Sequence, residues 1–352
     1  MKIKNILRKL PQGTDYFIVT NLKNVRFITG FTGDWAIVLL SKRKNYFITD
    51  ARFTEQAQKE VEGFHIIIIK KNFMENLKSL IKPPKTIAFE ADNLRYESFI
   101  NLKKTLKGCK FIPTSGIISE FRMIKTAEEI KKIARAARIA DRSFSEILPY
   151  IRVGVREIEI AAEFEYILRK NGSSGHPFST IAITSTNTSL PHGQPGMRKI
   201  KKGDLFLLDF GATYKGYVSD MTRTVVVGKA TKKQKEIYSI VLKAQTTAIE
   251  SVKIGLKLSD LDKIARDIIK DAGYEKNFGH SLGHGIGLEV HEEPLVSFRS
   301  KKKVQKGMVF TVEPGIYIPR WGGVRIEDDI AVIDNTSIKI LTKSPKKELI
   351  EL

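Results

Sequence analysis

The chain of 352 residues has a single cysteine, Cys109, so no intrachain disulfide can form. That scarcity fits a reducing cytoplasm. No histidine-paired motif surrounds Cys109, and it reads as a buried structural thiol rather than a nucleophile. Long apolar runs are missing too: residues 66–69 and 205–208 are among the longest, far too short to cross a bilayer. The start, MKIKNILRKLPQG, is basic without an apolar h-region, and no secretory signal is expected. Acidic residues are in short supply, 39 against 60 basic ones, for a net charge of +21. The excess is scattered in short groups such as residues 232–235, 301–303 and 346–347, with no basic tail and no interleaved aromatics. Solvated loops and helix ends explain that pattern better than a nucleic-acid partner. No internal repeat of 20–50 residues and no low-complexity tract is visible.

Hydrophobic content of 42% and charged content of 28% suit a globular protein, and the length predicts two domains. Residues 1–122 read as an α/β domain. Strands are expected at 16–19, 25–28, 35–39, 46–48, 64–69, 86–89 and 110–113, with helices at 51–62, 73–81 and 95–107. Its one histidine, His65 in the run FHIIII, reads as structural. The texture changes between residues 118 and 126, where Thr126 with Glu129 forms a capping box ahead of a long amphipathic helix. Residues 123–352 then mix helices (156–170, 231–253, 258–272) with strands (178–184, 204–210, 217–227, 308–313, 323–333). The fold class is α+β.

Within that second region, acids stand where apolar strands should not hold them. Asp209 follows the apolar residues 205–208, and Asp220 follows eleven residues later. A hairpin folded about Tyr214-Lys215 sets the two opposite each other, at a separation where like charges need a proton or a cation between them. Glu313 in MVFTVEPG and Glu327 in GGVRIEDDIAV repeat the anomaly. An ion pair with a buried arginine is the competing explanation, with Arg325 available to one of them. GHSLGHGIGLEVHEEP supplies three histidines, His280, His284 and His291, amid glycines that prevent a helix and permit close backbone approach. Four carboxylates and one imidazole are the oxygen-rich set that neutralises a pair of divalent ions, with Mn²⁺, Co²⁺ or Zn²⁺ chemically admissible. Water held between two such ions loses a proton near neutral pH and becomes a nucleophile.

The motifs LPHGQPG, LLDFGATYKGYVSDMTRT, GHGIGLEVHE, TVEPGIY and GGVRIEDD, in this order, resemble the metal-dependent proline-specific peptidases of the pita-bread fold. These comprise aminopeptidase P and prolidase, with methionine aminopeptidase more distant. The resemblance runs from Thr126 to the C-terminus, and the preceding domain is similar to the creatinase-like N-terminal domain of the same family. It implies that Asp209 chelates one metal, that Asp220 and Glu327 bridge both, and that His284 and Glu313 complete the other shell. Glu313 would also orient or deprotonate the attacking water. His291 would polarise the scissile carbonyl, His192 would assist proton transfer to the proline nitrogen, and His280 would contact substrate. Arg325 would steady the bridging carboxylates. The first domain would mediate homodimerisation and restrict access.

The implied activity is hydrolysis of the bond before proline, a tertiary amide with no N–H. Leu295 stands where some prolidase relatives place a basic residue, with Arg299 four positions on, and Gly196 replaces a common serine. The reading favours Xaa-Pro aminopeptidase, with Xaa-Pro dipeptidase as the alternative and a metal-free binding module as a remote one. The expected partners are short proline-containing peptides, with no membrane and no nucleic acid, and the expected cofactor is two Mn²⁺ ions.

Overall fold

The computed structural model describes residues 2–70, 72–335 and 337–352. The chain divides into two compact units, Met1–Arg122 and Met123–Leu352.

The first unit runs α1 (Lys2–Lys9), β1 (Tyr16–Val19), α2 (Leu22–Thr29), β2 (Ile37–Ser41), β3 (Tyr46–Asp50), α3 (Thr54–Glu60), β4 (His65–Ile69), α4 (Phe73–Leu80), β5 (Thr86–Glu90), α5 (Tyr96–Thr105), β6 (Lys110–Thr114) and α6 (Ile117–Met123). Its six strands form one mixed sheet in the order β4-β3-β2-β1-β5-β6. Strand β2 pairs antiparallel with β1 and β3. The parallel pairs β3–β4 and β5–β6 require crossovers, which α3 and α5 supply. Ile18, Leu39, Ile48 and Ile87 pack with Leu77 of α4 and Leu102 of α5 to make the core.

Two expectations for this unit need correction. Residues 25–28 are helical within α2, despite their β-branched composition, because the ends are capped. Asn21 Oδ1 accepts from the Lys23 and Asn24 amides, and Gly30 adopts φ 83° at the C-terminus. Cys109 is half-buried rather than buried, packed against the core edge. His65 lies exposed at the start of β4, its ring centroid 5.9 Å from that of Tyr46.

In the second unit, α7 (Ala127–Ile147) and α8 (Glu157–Lys170) precede β7 (Ile181–Thr184), β8 (Leu205–Phe210), β9 (Thr213–Tyr214), β10 (Tyr217–Val218) and β11 (Met221–Val226). Helices α9 (Lys232–Glu250) and α10 (Leu258–Asp271) then precede β12 (Gly283–Gly285), β13 (Glu292–Val296), β14 (Val309–Val312), β15 (Gly315–Ile318), β16 (Gly322–Arg325), β17 (Asp328–Val332), β18 (Ile338–Ile340) and β19 (Ile350–Glu351). Thr126 and Glu129 close a capping box on α7. One sheet has the order β19-β11-β8-β7, and the other β13-β12-β14-β17-β18. Phe144, Ile160 and Phe164 of α7 and α8 cover the first through Phe206, Leu208 and Phe210. Ile237, Val241, Leu261 and Ala265 of α9 and α10 cover the second through Phe310, Val312 and Ile330. Each sheet therefore turns one face to its helices and the other toward the polar constellation. Among the described residues no helix is long and apolar enough to cross a membrane.

The hairpin register differs from the expected one. Its turn is Lys215-Gly216, both at positive φ (49° and 78°), as a type I′ turn requires. Tyr217 pairs with Tyr214, and Thr222 rather than Asp220 lies opposite Asp209. The slip is two residues, so Asp220 keeps the same face and becomes a diagonal neighbour of Asp209. The expected strands at 217–227 and 323–333 are each interrupted, at residues 219–220 and 326–327. Acceptors outside the ladder hold these residues: the Asp220 amide donates to the side-chain Asp329 Oδ2 (3.1 Å), while the Glu327 amide donates to the backbone carbonyl of Thr222 (3.2 Å). Asp220 and Glu327 thus each occupy the last position of a two-residue break between a short hairpin and the strand that follows it.

Candidate metal centre

Asp209 comes from β8, His284 from β12, and Glu313 from the residue after β14, while Asp220 and Glu327 come from the two breaks. The short strand bearing His284 is crowded, and its flanking glycines are the reason it fits. A Cβ on Gly283 would lie 2.0 Å from the Thr311 carbonyl oxygen, and one on Gly285 would lie 2.1 Å from that of Glu293. The close approach anticipated for these glycines is to neighbouring backbone.

Ligand-capable atoms of Asp220, His284 and Glu327 lie within 4.8 Å of one another. His284 Nε2 is 3.3 Å from Glu313 Oε1 and 3.7 Å from Asp220 Oδ2. Its Nδ1 is 3.2 Å from the Gly285 carbonyl, which can only accept. That contact assigns the imidazole proton to Nδ1 and leaves the Nε2 lone pair facing carboxylate oxygens, the arrangement of a metal-ligating histidine. Burial holds the His284 pKa down to about 4, so the ring is neutral at physiological pH. Asp209 is pinned by Arg325, whose Nη2 donates to Oδ2 at 2.5 Å. Asp209 Oδ1 and Asp220 Oδ1 are both buried and, among the described residues, have no hydrogen-bond partner.

Buried anions without counter-charge are strongly disfavoured. Burial, reinforced by the neighbouring carboxylates, pushes the Asp220 and Glu327 carboxyls well above their ordinary range and Glu313 up to about 8. The site must therefore hold either protons or cations. Unpartnered carboxylate oxygens converging with a bare imidazole nitrogen fit divalent ions, so the donor set suits the group it was expected to hold.

Arg325 touches Asp209 directly, and it reaches Glu327 through Thr222. Its Nε donates to Thr222 Oγ1 (2.8 Å), which donates to Glu327 Oε2 (2.6 Å). It makes no direct hydrogen bond to either expected bridging carboxylate, which refines the role expected for it. Sequence reading passed over Thr222 and Tyr317, although both lie inside motifs it singled out. Tyr317 Oη accepts from Arg325 Nη1 (2.9 Å) and lies 2.9 Å from His280 Nε2. Because His280 Nδ1 faces the Ser281 carbonyl (2.8 Å), Tyr317 is the donor to His280.

These residues border a cavity of about 380 Å³ in the second unit. His192, His280 and His291 line it, as do the apolar Phe178, Ile181, Val290 and Leu295. His192 and His291 are exposed, and the His291 ring centroid is 4.1 Å from that of His284. The loop bearing His192 is anchored at both ends by buried Glu157, which accepts from the Thr184 amide (2.7 Å) and the Gly196 amide (3.0 Å). A Cβ on Gly196 would meet Glu157 Oε2 at an ordinary 3.7 Å, so the glycine there is not sterically demanded. Arg299 instead lies over the Phe298 ring, 5.1 Å from its centroid.

Residues 131–334 match Metallopeptidase family M24, and residues 2–124 match the Creatinase/Prolidase N-terminal domain. The chain is 39% identical to an Xaa-Pro dipeptidase of Pyrococcus horikoshii over 99% of its length and 98% of the relative's. The structure of an Xaa-Pro dipeptidase from Bacillus anthracis superposes with a TM-score of 0.95 at 44% identity, covering 100% of this chain and 99% of that one. An X-Pro aminopeptidase structure from Thermotoga maritima gives a TM-score of 0.90 at 39% identity, with 99% of both chains covered.

Proposed function

Since the chain belongs to metallopeptidase family M24, we propose that it hydrolyses the peptide bond between an N-terminal residue and proline, acting on Xaa-Pro dipeptides. The observation that carries this reading is the convergence of the bare His284 Nε2 with Glu313 Oε1 and the buried, unpartnered oxygens of Asp209 and Asp220. Two divalent cations among these donors would polarise the scissile carbonyl and lower the pKa of the attacking water. Asp209 would chelate one cation, Asp220 and Glu327 would bridge the pair, and His284 with Glu313 would complete the other shell. Oxygen donors with a single imidazole suit Mn²⁺ better than a closed zinc site.

The remaining steps fall to side chains. Glu313, whose proton affinity burial raises, takes the proton from the attacking water. His291 donates to the carbonyl oxygen as charge develops there. The hydroxyl adds to the carbonyl carbon, the C–N bond breaks, and the proton held by Glu313 passes, with His192 assisting, to the proline nitrogen. Tyr317 holds His280 as a hydrogen-bond acceptor toward it, on the wall that receives the substrate.

The aminopeptidase preference drawn from the sequence gives way to the dipeptidase reading, because the relatives named above include Xaa-Pro dipeptidases from two organisms. One observation favours the aminopeptidase: Leu295 is 46% exposed and borders the cavity, where a cation would best receive a dipeptide's carboxylate. Incubating the metal-loaded protein with Ala-Pro and Ala-Pro-Ala separates the two. Cleavage of the tripeptide alone overturns the dipeptidase reading, and absence of bound metal together with absence of cleavage overturns both. The same reading takes the protein to be a homodimer, with the first unit assigned to dimerisation and access; light scattering on the purified chain tests the dimer. Cytoplasmic location rests on the single cysteine.

A further inference from the structure

Behind the candidate metal centre, on the opposite face of β11, lies a second buried polar network that the reaction does not use. Alternation along β11 sends Thr222 toward Glu327 and Arg223 the other way. Arg223 is 1% exposed, yet all five of its N–H donors are engaged. Nε and Nη2 donate to the Ser344 carbonyl (3.3 and 2.9 Å), and Nη2 also donates to Asp328 Oδ1 (2.7 Å). Nη1 donates to the Thr222 carbonyl (2.9 Å) and the Glu327 carbonyl (2.6 Å).

The last pair of bonds bears on the site. Glu327 lies in the break between β16 and β17, outside any ladder. Its amide is held by the Thr222 carbonyl at 3.2 Å, and among the described residues the donor to its carbonyl is Arg223. The guanidinium thus replaces the strand partner that the break removes. The anchor is itself fixed. Asp328 accepts from Thr342 Oγ1 (2.7 Å), Gln245 Nε2 (2.7 Å) and Lys346 Nζ. The Ser344 amide and hydroxyl are each held at 2.7 Å by Asp141 of α7.

We propose that Arg223 is a positioning residue for the metal centre: by clamping the Thr222 and Glu327 carbonyls together from behind, it fixes the backbone from which the Glu327 carboxylate reaches the cations. This rests on the metallopeptidase reading above. Charge alone cannot do the work. Lysine's single nitrogen cannot reproduce the planar fork that spans three carbonyls and a carboxylate.

The test uses the full chain as wild type, Arg223→Lys and Asp328→Asn, the last keeping Arg223 but loosening its anchor. Binding of Co²⁺ is followed by calorimetry and by its visible absorption, which reports ligand geometry. Folding is monitored by far-ultraviolet circular dichroism. The expected result is folded variants whose second Co²⁺ binds at least tenfold more weakly, with altered visible bands. Excess metal should restore kcat at unchanged KM for Ala-Pro. A folded variant that binds two Co²⁺ ions with wild-type affinity and wild-type bands overturns the proposal, even if it melts earlier. If Arg223→Lys does not fold, Asp328→Asn decides by the same criteria. Wild-type protein that binds no Co²⁺ overturns the metallopeptidase reading itself, a result distinct from any behaviour of the variants.

Discussion

His284 presents Nε2 to Glu313 Oε1 across 3.3 Å, with its proton committed to the far side of the ring at the Gly285 carbonyl. Two lone pairs cannot face each other at that distance without a proton or a cation between them. Without metal the proton belongs to Glu313, whose pKa is pushed up to about 8 by burial. Metal loading near pH 7 must therefore expel protons. Calorimetric titration with Mn²⁺ in buffers of different ionisation enthalpy should give apparent enthalpies that differ between buffers. Buffer-independent enthalpies would count against this.

The same carboxyl makes the metal-free protein pH-sensitive. Between the ordinary 4.5 and about 8, Glu313 binds more proton in the folded state than in the unfolded one. Its contribution to stability is therefore full below about pH 4.5 and is lost as pH rises through about 8. The raised Asp220 and Glu327 carboxyls act in the same direction. Melting in chelator should fall in temperature from pH 5 to pH 8, and saturating Mn²⁺ should flatten or reverse the trend. A chelated protein that gains stability over this range contradicts the assignment.

Asp220→Asn keeps the shape of the side chain and removes its charge. Elemental analysis after dialysis should find one ion lost or both, and Ala-Pro hydrolysis should fall by on the order of 100-fold or more, beyond what loss of a supporting group costs. Two bound ions with full activity would rule out the bridging role.

Arg325→Lys should retain charge near Asp209 but lose the simultaneous bonds to Asp209, Thr222 and Tyr317. Roughly 10–100-fold lower metal affinity or activity is expected. An unchanged affinity measured by chelator competition would make the arginine a bystander.

Leu295→Arg would place a cation at the cavity edge where the native side chain is exposed and apolar. The ratio of kcat/KM for Ala-Pro over Ala-Pro-Ala should rise severalfold, about what a solvent-exposed ion pair provides. A fall in that ratio would mean that the dipeptide carboxylate binds elsewhere.

The second unit's elements were legible wherever period and caps agreed. Thr126 with Glu129 marks the start of α7, and the apolar run 205–208 marks β8. The anomalous acids were visible for a physical reason: Asp209, Glu313 and Glu327 interrupt apolar β patterns that would not hold them without a partner. Helix α2 was misread because the Asn21 and Gly30 caps outweighed the β-branched composition between them. The strand breaks at residues 219–220 and 326–327 could not be read, since their causes lie on distant segments, Asp329 and Thr222. Arg223 gave no signal either. A buried arginine in TRTVVV declares itself only when Asp328 and Ser344 arrive from more than a hundred residues away.

The turn at Lys215-Gly216 does more than reverse the chain. Paired residues across this hairpin have numbers whose sum is odd, as with Tyr214 and Tyr217, and Asp209 and Asp220 share that parity. Any two-membered or four-membered loop preserves it, while a three-membered loop makes the sum even and sends one acid into the helices' side of the sheet. Loop-length parity, set at a solvent-side turn, is thus a determinant of whether this chain can assemble a metal centre at all.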